Sequence, residues 1–336
     1  MYKSKLDLIA TETGIKLIKD TFERKLAEKL SLQRVSAPRF IRTGKGLQDD
    51  LDGSQIPVSF STRFTDHAIE MVHSLAKWKR YALEKYCFQL GTGLYTDMDA
   101  IRKDEYVDNI HSIYVDQWDW ELVISEEQRN IPFLKKTVKK LYTAIREIEK
   151  TVEETFPSLS SRLPEKITFI HSEELEDMYP GLSPKERENK ITEKHKAVFV
   201  IGIGHPLRSG EPHDIRAADY DDWSTATGSG TRGLNGDILF WDDVRESVLE
   251  ISSMGIRVDT TALLKQLAFA GCEDRKELDF HKKVITKKLP LSAGGGIGQS
   301  RLCMYLLQKI HIGEVQVSVW PDEMIRECAK KKINLL

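Results

Sequence analysis

Cysteine is scarce. Only four occur in 336 residues, at positions 87, 272, 303 and 328, and none forms a CxxC pair. That spacing argues against a disulfide framework or a zinc ribbon, and reduced thiols in the cytoplasm are the expectation. Cys87, Cys272 and Cys303 fall in helical, apolar surroundings that predict core packing, and Cys328 falls in a polar tail. No apolar run approaches the roughly 20 residues needed to cross a bilayer. The first residues, MYKSKLDLIATETGIKLIKD, are polar and read as neither a signal peptide nor an anchor, so no membrane partner is expected. An excess of one charge is also missing. The 50 basic and 52 acidic residues leave a net charge of -2, which gives no global field to draw in a polyanion, so no nucleic-acid partner is expected. Repeats and low-complexity linkers are absent. Position 2 is Tyr2, so the chain lacks the N-terminal cysteine nucleophile of a glutamine-using amidotransferase.

What is present is an ordinary globular composition, 40% hydrophobic and 30% charged. Ile15, Ile18, Phe22, Leu26 and Leu30 recur at helical spacing and predict an amphipathic helix over about 7–30. RVSAPRF (34–40) reads as a short strand broken by Pro38, and TGKGLQDDLDG (43–53) as a Gly- and Asp-rich loop. Apolar positions among basic ones predict a helix over 66–90, and Leu134, Val138, Leu141, Ile145, Ile148 and Val152 predict another over 132–155. Strands are expected at 167–171, 197–204, 236–242 and 248–258, the last two pairing as neighbours through 243–247. The stretch 290–308 reads as a glycine loop followed by an apolar helix. This irregular mixture fits neither a Rossmann sheet nor a TIM barrel, and predicts one α+β domain with a mostly antiparallel sheet.

Three constellations carry chemistry. Gly294, Gly296 and Gly298 alternate and are followed by Arg301, a pattern that lets a backbone approach an anion and places a guanidinium beside it. The same pattern also occurs in loops that bind nothing, and no Lys-Ser/Thr follows, so it is not a P-loop. In LYTDMDAIRKDEYVDNIHSIYVDQWDWE (94–121), Arg102 precedes Asp104 and Glu105, and Gln117, Asp119 and Glu121 share one parity of a strand. Those three could line a polar pocket or form a solvated outer face. Asp237 and Glu250, on strands expected to pair, could hold Mg²⁺ with nucleotide phosphates completing its shell, or be surface charges.

Taken in chain order, these segments resemble the three motifs of class II aminoacyl-tRNA synthetases: a helix and strand ending at Pro38, the Arg102–His111 strand-loop-strand, and GxGxGxxR at 294–301. Longer strings narrow the resemblance. HSLAKWKR (73–80), GLYTDM (93–98), HSIYVDQWDWE (111–121), DYDDWST (219–225), GLNGDIL (233–239), SSMGIRVD (252–259) and GGGIGQSRL (294–302) are similar to those of the bacterial ammonia-dependent aspartate–ammonia ligases. The likeness runs from the first helix to the VWP segment near 319–321, thinning at both ends and over 205–213.

The resemblance implies one class II synthetase-like catalytic domain over 1–336 without an anticodon-binding domain, and a homodimer. The implied reaction adenylates the β-carboxylate of aspartate with ATP and then amidates it with ammonia. The implied catalytic residues are Arg102 as the α-phosphate clamp, Gln117, and Asp49. Asp49 could attract ammonium and accept its proton, bind the α-ammonium of aspartate, or merely stabilise its turn. Aspartate would be held by Ser74, Lys79 or Lys77, Asp119, Asp221, Ser253 and Arg257. ATP would meet Arg102, His111, Ser112, Val115, Asp237, Glu250, Ser252, Gly294, Gly296, Gly298 and Arg301, with Mg²⁺ on Asp237 and Glu250. The competing readings are a synthetase-like regulator that has lost part of this set, and an interaction protein that binds no nucleotide.

Overall fold

The computed structural model describes residues 2–51, 53, 55–228 and 230–336. Helix α1 (Leu8–Leu30) starts where the Asp7 carboxylate accepts the Ala10 amide at 2.8 Å, and ends at Ser31 in the left-handed region. Strand β1 (Leu32–Arg34) follows. The next strands are β2 (Phe40–Arg42), β3 (Ser59–Thr62) and β4 (Thr65–Met71), which form a small sheet in the order β2-β4-β3. Then come α2 (Ala76–Lys85), β5 (Gly93–Ile101), β6 (Tyr114–Val123), α3 (Ile131–Thr155), β7 (Thr168–His171), α4 (Ser172–Met178), α5 (Pro184–His195) and β8 (Ala197–Ile201). The chain finishes with β9 (Asn235–Asp242), β10 (Ser247–Ile256), α6 (Thr260–Phe269), α7 (Asp279–Ile285), β11 (Ser292–Gly298), α8 (Gln299–Leu306) and α9 (Asp322–Lys330).

The main sheet has eight strands in the order β1-β5-β6-β11-β10-β9-β8-β7. Only the outermost pairs, β1 with β5 and β7 with β8, are parallel; the inner pairs are antiparallel. One face is apolar along its whole width. Ile18, Phe22 and Leu26 of α1 and Val138, Leu141, Ile145 and Ile148 of α3 pack there against Trp118, Trp120, Phe240 and Met254. The predicted periodicities at 7–30 and 132–155 are therefore the real buried stripes. The other face is apolar only at its flanks, under α4–α5 and under α2, and polar in the middle.

Four expectations need correction. Residues 66–90 are not one helix, because β4 occupies 65–71 and α2 begins only at Ala76. No strand runs across 34–40: β1 ends at Arg34 and β2 starts at Phe40, with Pro38, which has no N–H to donate, in between. Strand β8 stops at Ile201, where Gly202 (φ 80°) turns the chain. The glycine run is not a loop but β11, a central strand. Among the cysteines, Cys303 is buried as expected, while Cys87 is exposed in a left-handed turn and Cys328 is the buried residue of α9.

Candidate active site

A cavity of about 460 Å³ lies over the polar centre of the sheet. Its floor is made by strand parity. Trp118 and Trp120 of β6 point into the core, so Gln117, Asp119 and Glu121 point the other way. In register beside them lie Gly298, Gly296 and Gly294 of β11, then Ser253 and Gly255 of β10, then Asp237 and Asn235 of β9. A Cβ on Gly294 would collide with Glu121 and Arg257, and one on Gly296 would collide with Gln117 and lie 2.9 Å from Asp119 Oδ1. The three alternating glycines have ordinary extended backbones, and Gly294 and Gly296 leave the space that neighbouring polar side chains occupy. The "solvated outer face" for Gln117, Asp119 and Glu121 is thus set aside: the last two are fully buried, and Gln117 lines the cavity.

A register shift between Glu250 and Ser252 is a β-bulge. Glu250 pairs with Leu239, and Ser253, three residues on, pairs with Asp237 on the same side of β9. Without the bulge Glu250 and Ser253 would face opposite ways; with it Glu250 joins Asp237 on one face of the sheet, Glu250 at the cavity surface and Asp237 behind it. Ser252 sits at the bulge, and its buried hydroxyl has no partner among the described residues.

One end of the cavity is a set of matched charges. Lys79 of α2 donates to Asp119 Oδ1 at 2.7 Å and to the Gly295 carbonyl at 2.8 Å. Burial pulls its ammonium below the usual lysine range. Arg257 forks onto Glu121, with Nη2 donating to Oε2 at 2.8 Å, and also donates to Asp221. Burial works against the Glu121 carboxylate, but Arg257 holds it below the ordinary range. Burial pushes Asp221 upward. Asp119 Oδ2 has no partner among the described residues, so the pairing leaves one carboxylate oxygen for a ligand. Asp49 hangs over this end in the 43–53 loop. It is buried, and its Oδ2 accepts the Ser74 hydroxyl at 2.5 Å while Oδ1 accepts the Leu51 amide at 2.9 Å.

The other end gathers cations. Arg102, just past β5, reaches the His73 carbonyl at 3.3 Å. Arg301, in the first turn of α8, donates to the Glu250 carbonyl at 3.2 Å and lies 3.6 Å from its carboxylate. Arg216 pairs with Asp237 Oδ2. Burial and the neighbouring Glu250 push Asp237 up to about 7, although Arg216 opposes them. Burial also opposes the Glu250 charge, yet Arg301 and Arg216 draw that carboxyl below the usual range. Asp237 Oδ1 is buried without a partner among the described residues. Two hard carboxylates on one face, one of them incompletely satisfied, fit a divalent cation. Among the described residues no cluster of three or more His, Cys, Asp or Glu could ligate an ion alone, so such a cation would take further oxygens from elsewhere, as from phosphates. His111, whose ring lies 3.0 Å from Asp108, lines this end with Ser112 and Val115.

Most residues singled out in the sequence therefore meet in one cavity. Lys77 does not: its ammonium points away to Asp219 at 2.9 Å, inside a cluster with His281 and Arg275. Neither Gly294 nor Asp237 is on the cavity surface itself; the one makes room beneath Glu121 and the other backs Arg216. Sequence patterning gives no sign of Arg216, Tyr220, Asp116 or Gln316, which also form the wall. Asp116 falls on the parity of β6 that Trp118 and Trp120 turn to the core, and the likeness is thinnest just before Arg216.

A polar patch of this kind on an antiparallel sheet, with arginines after β5 and at the start of α8, defines the catalytic fold of class II aminoacyl-tRNA synthetases. The chain superposes with a TM-score of 0.69 on asparaginyl-tRNA synthetase from Pyrococcus horikoshii complexed with asparaginyl-adenylate, over 93% of this chain and 70% of that one, at 14% identity. Aspartyl-tRNA synthetase from Entamoeba histolytica superposes at 0.63, over 91% and 58%, at 16% identity. Those identities establish the fold. The family is established by sequence: residues 9–332 match the aspartate–ammonia ligase family, to which this chain belongs, and it is accordingly a carbon–nitrogen ligase. It is 55% identical over 336 residues to the aspartate–ammonia ligase of Clostridium tetani, covering all of this chain and 96% of that protein. It is 54% identical to that of Parabacteroides distasonis, with 100% and 97% covered, and 52% identical over 335 residues to that of Bacillus cereus, with both chains fully covered.

Proposed function

We propose that the chain makes asparagine from aspartate, ATP and ammonia in this cavity, by way of β-aspartyl-AMP, with AMP and pyrophosphate released. Family membership supports the overall reaction, and the division of the cavity into a matched-charge end and a cationic end supports aspartate at the one and ATP at the other. Aspartate is zwitterionic with an extra carboxylate. Asp119 and Asp221 suit its α-ammonium, and Lys79, Arg257 and Ser253 suit its carboxylates. ATP lies toward Arg102, Arg216 and Arg301, against His111, Ser112, Val115 and Ser252.

Gln117 stands between the two ends and orients the β-carboxylate toward the α-phosphate. Arg102 stabilises the charge on the phosphorus centre as pyrophosphate leaves. In the second step ammonia attacks the activated carbonyl, AMP departs, and Asp49, aimed by Ser74, takes a proton from the attacking nitrogen. Asp237 and Glu250 would hold Mg²⁺, which when bound neutralises phosphate charge. Gly296 and Gly298 keep the floor low enough for the reactants to lie on it, and Gly294 makes room for Glu121 and Arg257 beneath. Lys77 acts at one remove by fixing Asp219 next to Tyr220 and Asp221.

We read residues 1–336 as one catalytic domain that works as a homodimer in the cytoplasm. Exposed Ile9 at the start of α1, and exposed Phe40 and Phe60 on the small sheet, support the dimer. The deciding experiment supplies aspartate, ATP, ammonium and Mg²⁺ and follows all products. Asparagine, AMP and pyrophosphate are expected in equal amounts; ADP as the stoichiometric product would sink the adenylate route.

A further inference from the structure

Four side chains on the cationic end of the cavity belong to one buried network, and of these only Ser112 has a part in the reaction outlined above. Gln316 follows the single helical turn Ile312–Glu314 and is buried. Its Oε1 lies 2.6 Å from the Ser112 hydroxyl, whose one proton it shares with the Tyr114 carbonyl at 2.7 Å, and its Nε2 donates to Ser300 Oγ at 2.9 Å and reaches Asp116 Oδ1 at 3.5 Å. Asp116 Oδ1 accepts the Ser300 amide at 3.0 Å. Its Oδ2 accepts the Ser300 hydroxyl at 2.9 Å and the Lys19 ammonium at 3.1 Å. The donor roles follow from one another. A carboxylate only accepts, so the Ser300 hydroxyl gives its proton to Asp116. Ser300 then has only lone pairs to offer Gln316, which must turn its NH₂ that way. The amide oxygen is thereby aimed at Ser112.

The network adds polar ties between four segments that also share the apolar core: α1 through Lys19, the start of β6 through Asp116, the first turn of α8 through Ser300, and the C-terminal segment through Gln316. The last is also tied to the 102–113 loop, where the Ile312 amide donates to the Asn109 carbonyl at 2.9 Å. Ser300 immediately precedes Arg301, and Ser112 immediately follows His111. The core sets the coarse packing of these segments, and the hydrogen-bonded link from Ser300 through Gln316 to Ser112 sets the fine spacing between Arg301 and the loop that follows Arg102.

We infer that Gln316 and Asp116 are positioning residues for the nucleotide, which set the separation of the first turn of α8 from the 102–113 loop so that one ATP meets both. The inference rests on reading this end as the nucleotide subsite.

The test uses Gln316→Ala and the near-isosteric Gln316→Glu, which keeps the volume but turns a donor into an acceptor facing Asp116 and Ser300. The expected result is a KM for ATP raised about tenfold by the alanine, the order set by losing one buried hydrogen bond, and raised further by the glutamate. The KM for aspartate stays within about twofold because the matched-charge end shares no bond with the network. Combined with Asp116→Asn, Gln316→Ala should raise the ATP KM by less than the product of the single effects, since both cut the same chain of bonds. If the glutamate variant does not fold, Ser300→Ala removes a single hydroxyl from the network and should give the same selective change. Equal rises in both KM values, or a lower thermal midpoint with the ATP KM unchanged, would overturn the inference. ATP binding by titration keeps the outcomes separate: wild-type protein that binds ATP but forms no asparagine contradicts the proposed reaction, while the variants still report on the positioning role.

Discussion

Lys77 and Lys79 lie two residues apart on α2, about 200° around a helix, and so face opposite ways. Both are fully buried, which for lysine requires a partner on each side. Lys79 finds one on the cavity floor and Lys77 finds Asp219. From the sequence alone the two were interchangeable, because the helix boundary that fixes their directions depends on β4 ending at Met71, and nothing in the local pattern marks that end. Lys77→Met should therefore act mainly on stability, by about 3–5 kcal/mol, the cost of leaving a buried carboxylate short of a cation. Lys79→Met should act mainly on the aspartate KM. Denaturant unfolding and steady-state kinetics on the two variants would separate these effects, and a reversal would exchange their roles. Burial works against the Asp219 charge, but Lys77 and His281 hold the carboxyl far below the ordinary range. A depressed carboxylate stabilises the fold above its unfolded pKa of about 4 and loses that contribution as pH falls through and below it. Asp219→Asn should accordingly be less stable at neutral pH and show a flatter loss of stability below about pH 4. Arg102 and Asp49 differ by step instead. Arg102→Ala should abolish aspartate-dependent exchange of pyrophosphate into ATP. Asp49→Asn should keep part of that exchange while asparagine formation falls by a further factor of about 10²–10⁴. Equal loss of both activities in Asp49→Asn would move that residue to aspartate binding.

At the scale of single elements, β11 explains why a glycine pattern was visible while its meaning was not. Alternate glycines usually announce a loop, since glycine costs a strand both side-chain packing and entropy. Here the strand tolerates them because side chains from β6 and Arg257 fill the space a Cβ would take, and that requires knowing which strands are neighbours. The three glycines and the parity of 117, 119 and 121 were each legible; their being opposite one another was not. Gly296→Ala should press on Gln117 and Asp119 and cost the fold about 1–3 kcal/mol as an overpacked site. The larger effect should be on kcat/KM, because both displaced side chains face the reactants. Thermal unfolding beside kinetics checks this, and full activity with a lowered melting point would contradict the placement of those side chains at the reaction centre. The β10 bulge works the same way. Asp237 and Glu250 could be paired from the sequence, but their parities on unbulged strands would have put them on opposite faces. With both on one face, chelation of divalent metal should abolish asparagine formation, added Mg²⁺ should restore it, and Asp237→Asn should raise the Mg²⁺ concentration needed. Undiminished synthesis in excess chelator would remove the metal from the scheme.

For the whole molecule, the fold class could be read from the irregular order of helices and strands, and the family from strings spread over most of the chain. What could not be read is how far apart in sequence the members of one site stand: Asp49, Asp119, Asp221 and Arg301 converge only because the central strands are not consecutive in the chain. The same topology leaves β1 at one margin of the main sheet, with an open edge that covers only three residues. A short edge resists indiscriminate pairing, and the large apolar side chains left in water lie elsewhere, at the start of α1 and on the small sheet. Ile9 is 78% exposed, and Phe40 and Phe60, packed edge to face at 5.8 Å, are 53% and 41% exposed. A monomer would keep these rings in water, whereas a two-fold partner presenting the same residues would cover them. Sedimentation at micromolar concentration should therefore give twice the 38.5 kDa chain mass. Phe40→Asp combined with Phe60→Asp should shift it toward the monomer while far-ultraviolet circular dichroism stays unchanged, because both side chains lie on the small sheet outside the main core. A wild-type protein that sediments only as a 38.5 kDa species would refute the dimer and leave the exposed rings to some other partner.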